Sequence, residues 1–414
     1  MRLRWELSAV LALCCVGSCL CAGQTNAGVS STKTHTQQTL PPEVTLALGL
    51  EQQGKIPEAV TAWQHVVKAD PKNAQAFAQL GVLQARLEHY PEAIAAYRRA
   101  RRLRPEIAGL ELNYGLALFK AEQYKEAAAV LEGELRRHPN GPETLRLTTL
   151  IGMAHFGARD YKAAAPYLKA AVEGDPKSLP LLMTLAHCYL WTKQLDAVMD
   201  VYRRILEINP ESAEADMIVG EALDEKGDIA GAVQQFRAAV KANPKEPQVH
   251  FGLAYLLWTQ KQYTDAVQEF LAELQNDPEN SSAMIYLGDT YIRQAQYDLA
   301  RPVLERALRY KPEVPLVHLD LGIVLMETDQ KAAALIELNK TVELEPDNVV
   351  AHFRLGALYR GMGKKEEAKA EFAKASALNK KTDEGLFKRI SEASAGSAPP
   401  KKEEAKPETQ QPNP

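Results

Sequence analysis

Residues 71–105, PKNAQAFAQLGVLQARLEHYPEAIAAYRRARRLRP, decide the fold. Two apolar stripes at helical spacing are divided by a polar turn at Glu88-His89 and bounded by a proline at each end. A proline restricts the residue before it to extended backbone and so closes the preceding helix. The same landmark returns at Pro139, Pro176, Pro210, Pro244, Pro278, Pro312 and Pro346, with seven spacings of 34 residues and one of 37. A fixed period near 34 predicts a solenoid of helix pairs, each burying its apolar face only against its neighbours.

Alignment on those prolines exposes what every unit keeps. Twenty-four residues before the proline stands a small residue, Gly81, Gly115, Gly152, Ala186, Gly220, Ala254, Gly288 or Gly322, and Gly356 continues the series. Twelve before it stands alanine, from Ala59 to Ala368, replaced only by Val198. These are expected points of close helix approach, where overpacking costs about 1–3 kcal/mol. Large apolar residues four after the alanine, such as Tyr97, Phe236 and Phe270, fill the complementary volume. Tyr90, Tyr124, Tyr161, Tyr263 and Tyr297 recur at the turn within each pair.

Phe77-x2-Leu80-Gly81 with Ala93-x3-Tyr97, Ala100 and Pro105 closely resembles the tetratricopeptide repeat, as do Leu355-Gly356-x2-Tyr359 and Ala368-x3-Phe372. The resemblance implies ten repeats over residues 41–382 in an all-α, right-handed superhelical solenoid of antiparallel helix pairs. It further implies that the first helix of each pair lines a concave face that binds a protein or peptide. The 37-residue spacing should lengthen the helix after Pro139 at its start, with Asn140 as cap and Pro142 in the first turn. Residues 383–394, with Leu386, Phe387 and Ile390 at helical spacing, are expected to form a capping helix. The Pro/Lys/Glu segment 395–414 reads as a disordered tail.

The beginning of the chain is of another kind. Arg2 and Arg4, an apolar stretch from Leu7 to Leu20, then Ala22 and Gly23 have the layout of a secretory signal over residues 1–23. Residues 24–40, rich in Gln, Thr and Ser, read as a flexible linker. Val16-Gly17-Ser18-Cys19 resembles a bacterial lipobox, which would lipidate Cys19; the competing reading is a plain signal cut after Ala22 or Gly23. Either way the expected location is outside the cytoplasm, periplasmic or secreted, and the membrane is reached only through a lipid on Cys19.

Lys and Arg number 49 against 53 Asp and Glu, a balance that gives no field for nucleic acid. The run Arg98-Arg99-x-Arg101-Arg102-x-Arg104 sits before Pro105, where cations favour a helix C-terminus, and is read as structural. No phosphate loop, nucleophile elbow, zinc-protease motif or paired-cysteine spacing occurs, so no catalytic residue, metal or cofactor is expected. His250, His318 and His352 share one place in three repeats, and histidines without a further ligand read as packing residues.

By repeat phase the partner-binding groove is expected to be lined by Phe119, Met153, Phe156, Met183, His187, Trp191, Met217, Phe251, Tyr255 and Trp258, with an acidic spot at Glu221 and Asp224. Methionine and aromatics suit adaptable contact with apolar side chains. The expected function is an extracytoplasmic interaction scaffold, with a role in cell-envelope assembly implied by family analogy. The alternative is a non-catalytic, substrate-presenting subunit of an enzyme complex.

Overall fold

The computed structural model describes the backbone of residues 41–395 and side chains up to residue 380. The expected export signal with Cys19, the expected linker and nearly all of the expected tail lie outside the described residues.

Every described element is an α-helix, and the helices fall into two compact units that meet in sequence at Asn243 and Pro244. The first unit holds α1 (Pro42–Gln52), α2 (Ile56–Ala69), α3 (Ala74–Arg86), α4 (Tyr90–Leu103), α5 (Leu110–Lys120) and α6 (Tyr124–Arg137). It continues with α7 (Thr144–Gly157), α8 (Tyr161–Gly174), α9 (Leu179–Trp191), α10 (Leu195–Ile208), α11 (Ala213–Glu225) and α12 (Ile229–Ala242). The second holds α13 (Val249–Thr259), α14 (Tyr263–Asn276), α15 (Ser281–Arg293), α16 (Tyr297–Tyr310), α17 (Pro315–Glu327), α18 (Lys331–Leu344), α19 (Val349–Gly361) and α20 (Lys365–Ala395). Within each unit an odd-numbered helix packs on the even-numbered one after it, and α3 with α5, α5 with α7, α9 with α11, α13 with α15, α15 with α17 and α17 with α19 also touch.

The glycine positions show why the pairs pack as they do. A Cβ on Gly220 would lie 2.6 Å from Cδ2 of Phe236, and one on Gly356 2.8 Å from the Phe372 ring. The pairs Gly81–Tyr97, Gly115–Leu131, Gly152–Leu168, Gly288–Leu304 and Gly322–Leu338 repeat this contact. The large side chain sixteen residues on therefore fills the volume that the glycine leaves open. The recurrent alanines are buried alongside, among them Ala59, Ala93, Ala266 and Ala334.

Each described helix pair turns through one residue in the left-handed region, beginning with Gly54, Glu88, Glu122, Arg159 and Lys193. Gly227, Lys261, Ala295, Asp329 and Gly363 follow, so most of these residues carry a side chain. The residue after each donates its N–H five residues back, as Gln296 does to the Tyr291 carbonyl at 2.8 Å. This closes the C-terminus of the first helix and starts the second. At the other connection Asn73, Asn280 and Asn348 accept from backbone N–H groups three residues on and cap α3, α15 and α19.

Thr144 begins α7 eight residues before Gly152, whereas Leu110 begins α5 five before Gly115. Most odd-numbered helices, α3, α9, α11, α15, α17 and α19, are 13 residues long, so α7 with 14 gains one residue at its start and the rest of the insertion lies in the connection before it, not the extra helical turn expected. Neither Asn140 nor Pro142 is part of that helix: its N-cap is Glu143, without a side-chain bond, and Thr144 Oγ1 donates to the Gly141 carbonyl at 2.8 Å. Residues 383–394 form no separate capping element either; α20 runs unbroken from Lys365 to Ala395.

Candidate functional site

In the first unit an aromatic group gathers where α7, α8 and α9 meet. The Trp191 indole centroid lies 4.2 Å from that of Tyr161, 5.6 Å from Phe156 and 5.3 Å from the His187 ring. Trp191 and Tyr161 are half-buried, while Phe156 and His187 are buried beneath them. Such pairs add about 0.5–1.5 kcal/mol beyond area burial and hold the exposed ring edges rigid. On α11, which packs against α9, Glu221 and Asp224 are half-buried. Burial, and then the neighbouring Glu225 carboxylate, push the Asp224 carboxyl above its usual range. Glu225 itself pairs with Lys193 Nζ at 2.8 Å.

The second unit carries a larger group on α13 and α15. Phe251, Tyr255 and Trp258 stack in sequence along α13, at centroid distances of 6.5 and 5.9 Å. Tyr286 of α15 stands edge-on to all three, at 6.0, 5.4 and 5.2 Å. Trp258 Nε1 donates to Asp289 Oδ2 at 2.6 Å, and Arg293 Nε donates to the same oxygen at 2.7 Å. The Arg293 guanidinium also lies 5.4 Å from the Trp258 ring centroid, within cation–π range. Behind Asp289, Asp320 of α17 is 3% exposed, and its Oδ2 meets no hydrogen-bond partner. Burial first, and the Asp289 charge second, push the Asp320 carboxyl well above the usual carboxylate range.

The structure thus brings together Phe156, His187 and Trp191 in one unit, and Phe251, Tyr255 and Trp258 in the other. It does not leave them equally accessible. Met217 is fully buried, and Phe119, Met153, Phe156, Met183, His187 and Phe251 are also buried. Those side chains are largely covered, whereas Trp191, Glu221, Asp224, Tyr255 and Trp258 retain more accessible surface. Repeat phase identifies the helix face that a residue occupies, but the next helix then covers much of that face.

Tyr286, Asp289, Arg293 and Asp320 were not among the expected groove residues. A signal existed for one of them, since Asp289 stands eleven residues after Pro278 as Tyr255 does after Pro244.

The three recurrent histidines remain within their own repeats. His250 Nδ1 meets Glu269 at 2.6 Å, His318 Nδ1 meets Glu337 at 2.7 Å, and His352 Nδ1 meets Glu371 at 2.5 Å. The Nε2 atoms of His318 and His352 donate to the Pro312 and Pro346 carbonyls, each at 2.9 Å. Among the described residues no three or more His, Cys, Asp or Glu side chains are grouped to hold a metal. Cys188 is buried, which pushes its thiol up to about 12 and keeps it a poor nucleophile near neutrality.

The arginine run is partly spent on the fold. Arg98 donates to Tyr114 Oη at 2.8 Å and to both Glu126 oxygens, and Arg101 Nε reaches the buried Glu111 at 2.8 Å. Arg99 lies over the Phe77 ring. These contacts join α4 to α3, α5 and α6. No helix among the described residues is long and apolar enough to cross a membrane.

Fold and site define a helical-repeat solenoid whose part-exposed aromatic groups lie on the odd-numbered helices α9, α13 and α15, with Tyr161 of α8 beside Trp191. Tetratricopeptide repeat models match residues 44–108, 79–142, 112–178, 199–247, 220–281 and 287–349, with further matches at 155–221 and 349–382. The chain belongs to the tetratricopeptide repeat family. No curated protein matches it. Among solved structures it is similar to MamA from Desulfovibrio magneticus RS-1, at 22% identity and a TM-score of 0.39 over 41% of this chain and 97% of that one. It is also similar to YrrB, described as a TPR protein with an unusual peptide-binding site, at 20% identity and a TM-score of 0.40 over 46% and 97%. A third likeness is to pilF of Pseudomonas aeruginosa, at 21% identity and a TM-score of 0.41 over 46% and 86%.

Proposed function

We propose that the chain is a non-catalytic protein-interaction scaffold of ten repeats that holds a peptide segment of a partner chiefly on its odd-numbered helices. The observation that carries this reading is the pair of part-exposed aromatic groups, Trp191 with Tyr161 and Trp258 with Tyr255 and Tyr286, each braced by rings beneath or beside it. Rigid aromatic edges beside carboxylates suit anchoring, because such residues carry most of the energy of interfaces and lose little entropy on binding.

The scaffold acts outside the cytoplasm, in cell-envelope assembly, after the leader is removed. The layout of residues 1–23 supports export, and a cut before Cys19 would leave that thiol to carry lipid. Mass spectrometry of the mature N-terminus distinguishes that cut from one after Ala22 or Gly23, and an intact Met1 in cells would refute export.

The interaction itself is tested by capture from the native cell followed by affinity measurement with the recovered partner. Trp191→Ala should weaken binding by about 2 kcal/mol, the usual scale for an aromatic anchor. Glu221→Ala should mainly alter the salt dependence. Unchanged affinity for a folded Trp191→Ala protein, together with unchanged affinity for Trp258→Ala, would sink the groove reading.

A further inference from the structure

We propose that the end of the second unit is a self-association surface. The face of α19 and α20 around Phe353 and Phe372 takes the C-terminal part of α20 from a second copy of this chain and gives its own in return.

The repeat pattern shows that this face lacks a cover. Phe251, Ile285 and Leu319 stand seven residues after Pro244, Pro278 and Pro312, and none is more than 7% exposed. Each lies on an odd-numbered helix that touches the next odd-numbered helix. Phe353 holds the same place after Pro346 on α19, the last odd-numbered helix among the described residues, and it is 55% exposed. Its even-helix neighbour changes in step. Phe270, Leu304 and Leu338 are fully buried, whereas Phe372, at the same place on α20 with its ring centroid 5.4 Å from that of Phe353, is only half-buried. Val350, three residues before Phe353, is 50% exposed. A stack of repeats needs a polar outer face at its end, and this end presents an apolar one.

The same chain carries a matching stripe but holds it away from the face. The period would put the next proline at residue 380, where the sequence has Lys380. Without the proline that closes each earlier pair, α20 runs on for 31 residues, against 14 in α14, α16 and α18, an excess of 17. At 1.5 Å per residue α19 spans about 20 Å and α20 about 46 Å, so the last stretch of α20, about 25 Å, has no part of α19 beside it. The sequence sets Leu386, Phe387 and Ile390 at helical spacing within that stretch. A turn would be needed to bring the stripe back over α19, and an unbroken helix has none. The stretch is nevertheless long enough to lie along the whole of a second copy's α19. Two copies related by a twofold axis cover both stripes and both faces at once and make the contact twice, as an isologous interface does.

The test is sedimentation equilibrium of the full chain over a range of concentrations, with photo-crosslinking to locate the contact. The unmodified chain should form a dimer, and Phe353→Asp and Leu386→Asp should each raise the dimer dissociation constant at least about thirtyfold, the scale for loss of a central apolar anchor. Benzoylphenylalanine in place of Phe353, in an exchanged mixture of isotope-labelled and unlabelled chains, should crosslink to residues 381–395 of the other copy. A chain that stays monomeric at about 100 μM overturns the inference, as does a dimer that both variants leave unchanged. Crosslinks confined to single copies overturn it too, because they would put the chain's own C-terminal stretch on the face. If Phe353→Asp fails to fold, Leu386→Asp still decides, since it lies beyond the residues of α20 that pair with α19. None of these outcomes depends on the partner surface at Trp191 and Trp258, so the scaffold reading stands or falls separately.

Discussion

At the scale of single residues, the same amino acid carries opposite consequences according to what stands over it. Gly220→Ala places a methyl 2.6 Å from the Phe236 ring, which is held between two helices, so it should destabilise by about 1–3 kcal/mol. Gly49→Ala, inside α1 with nothing within 4 Å of its Cβ position, should stabilise by about 0.5–1 kcal/mol through helix propensity alone. Chemical denaturation of the two variants checks the sign. Asp320 sets a pH dependence. Its folded-state value is raised by burial and by Asp289, so the folded protein holds this proton more tightly than the unfolded chain does. The stability it contributes is fully present below the unfolded carboxyl value of about 4 and is lost as pH rises toward the raised folded value. Asp320→Asn should flatten this slope and raise the melting temperature at neutral pH; an unchanged slope between pH 4 and pH 7 would contradict it.

At the scale of elements, the left-handed turn residue is the recurrent strain in the fold. A non-glycine residue in that region costs about 1–2 kcal/mol, and glycine avoids this at some expense in unfolded-chain entropy. Ala295, at φ 57°, is exposed, and Ala295→Gly should stabilise by about 0.5–1 kcal/mol. Thermal melting decides, and a lower melting temperature would show that the turn tolerates alanine better than its backbone angle implies. The neighbouring repeat's Lys261, at φ 62°, occupies the same place, so Lys261→Ala tests turn conformation as well as surface charge.

At the scale of the whole molecule, contacts run between helices that are neighbours in sequence or one repeat apart. Stability in such a stack is nearly a sum of repeat and nearest-neighbour terms, so damage should stay local. Gly288→Ala, which drives a methyl into Leu304, should therefore accelerate amide hydrogen exchange in α15 and α16 while leaving α3 and α4 protected as before. Uniform loss of protection along the chain would mean that the repeats unfold as one cooperative body.

Periodicity made the helices, their pairing and their close contacts legible, because each depends on residues within about one repeat: glycine against the large side chain sixteen positions later, proline at the exit, a polar turn between. The left-handed turns were less legible, since Glu88, Lys193 and Ala295 do not announce the conformation as Gly54 and Gly227 do. The accessible site was legible only by face. Met217 and Trp258 both lie on odd-numbered helices but seven and fourteen residues after their prolines; the seventh position is buried in Met183, Met217 and Phe251 alike, whereas Trp258 keeps accessible surface. The meeting of Trp258, Asp289 and Asp320 from α13, α15 and α17 is a tertiary fact. Local pattern determines each helix; only the lateral packing of successive repeats decides which side chains share a site.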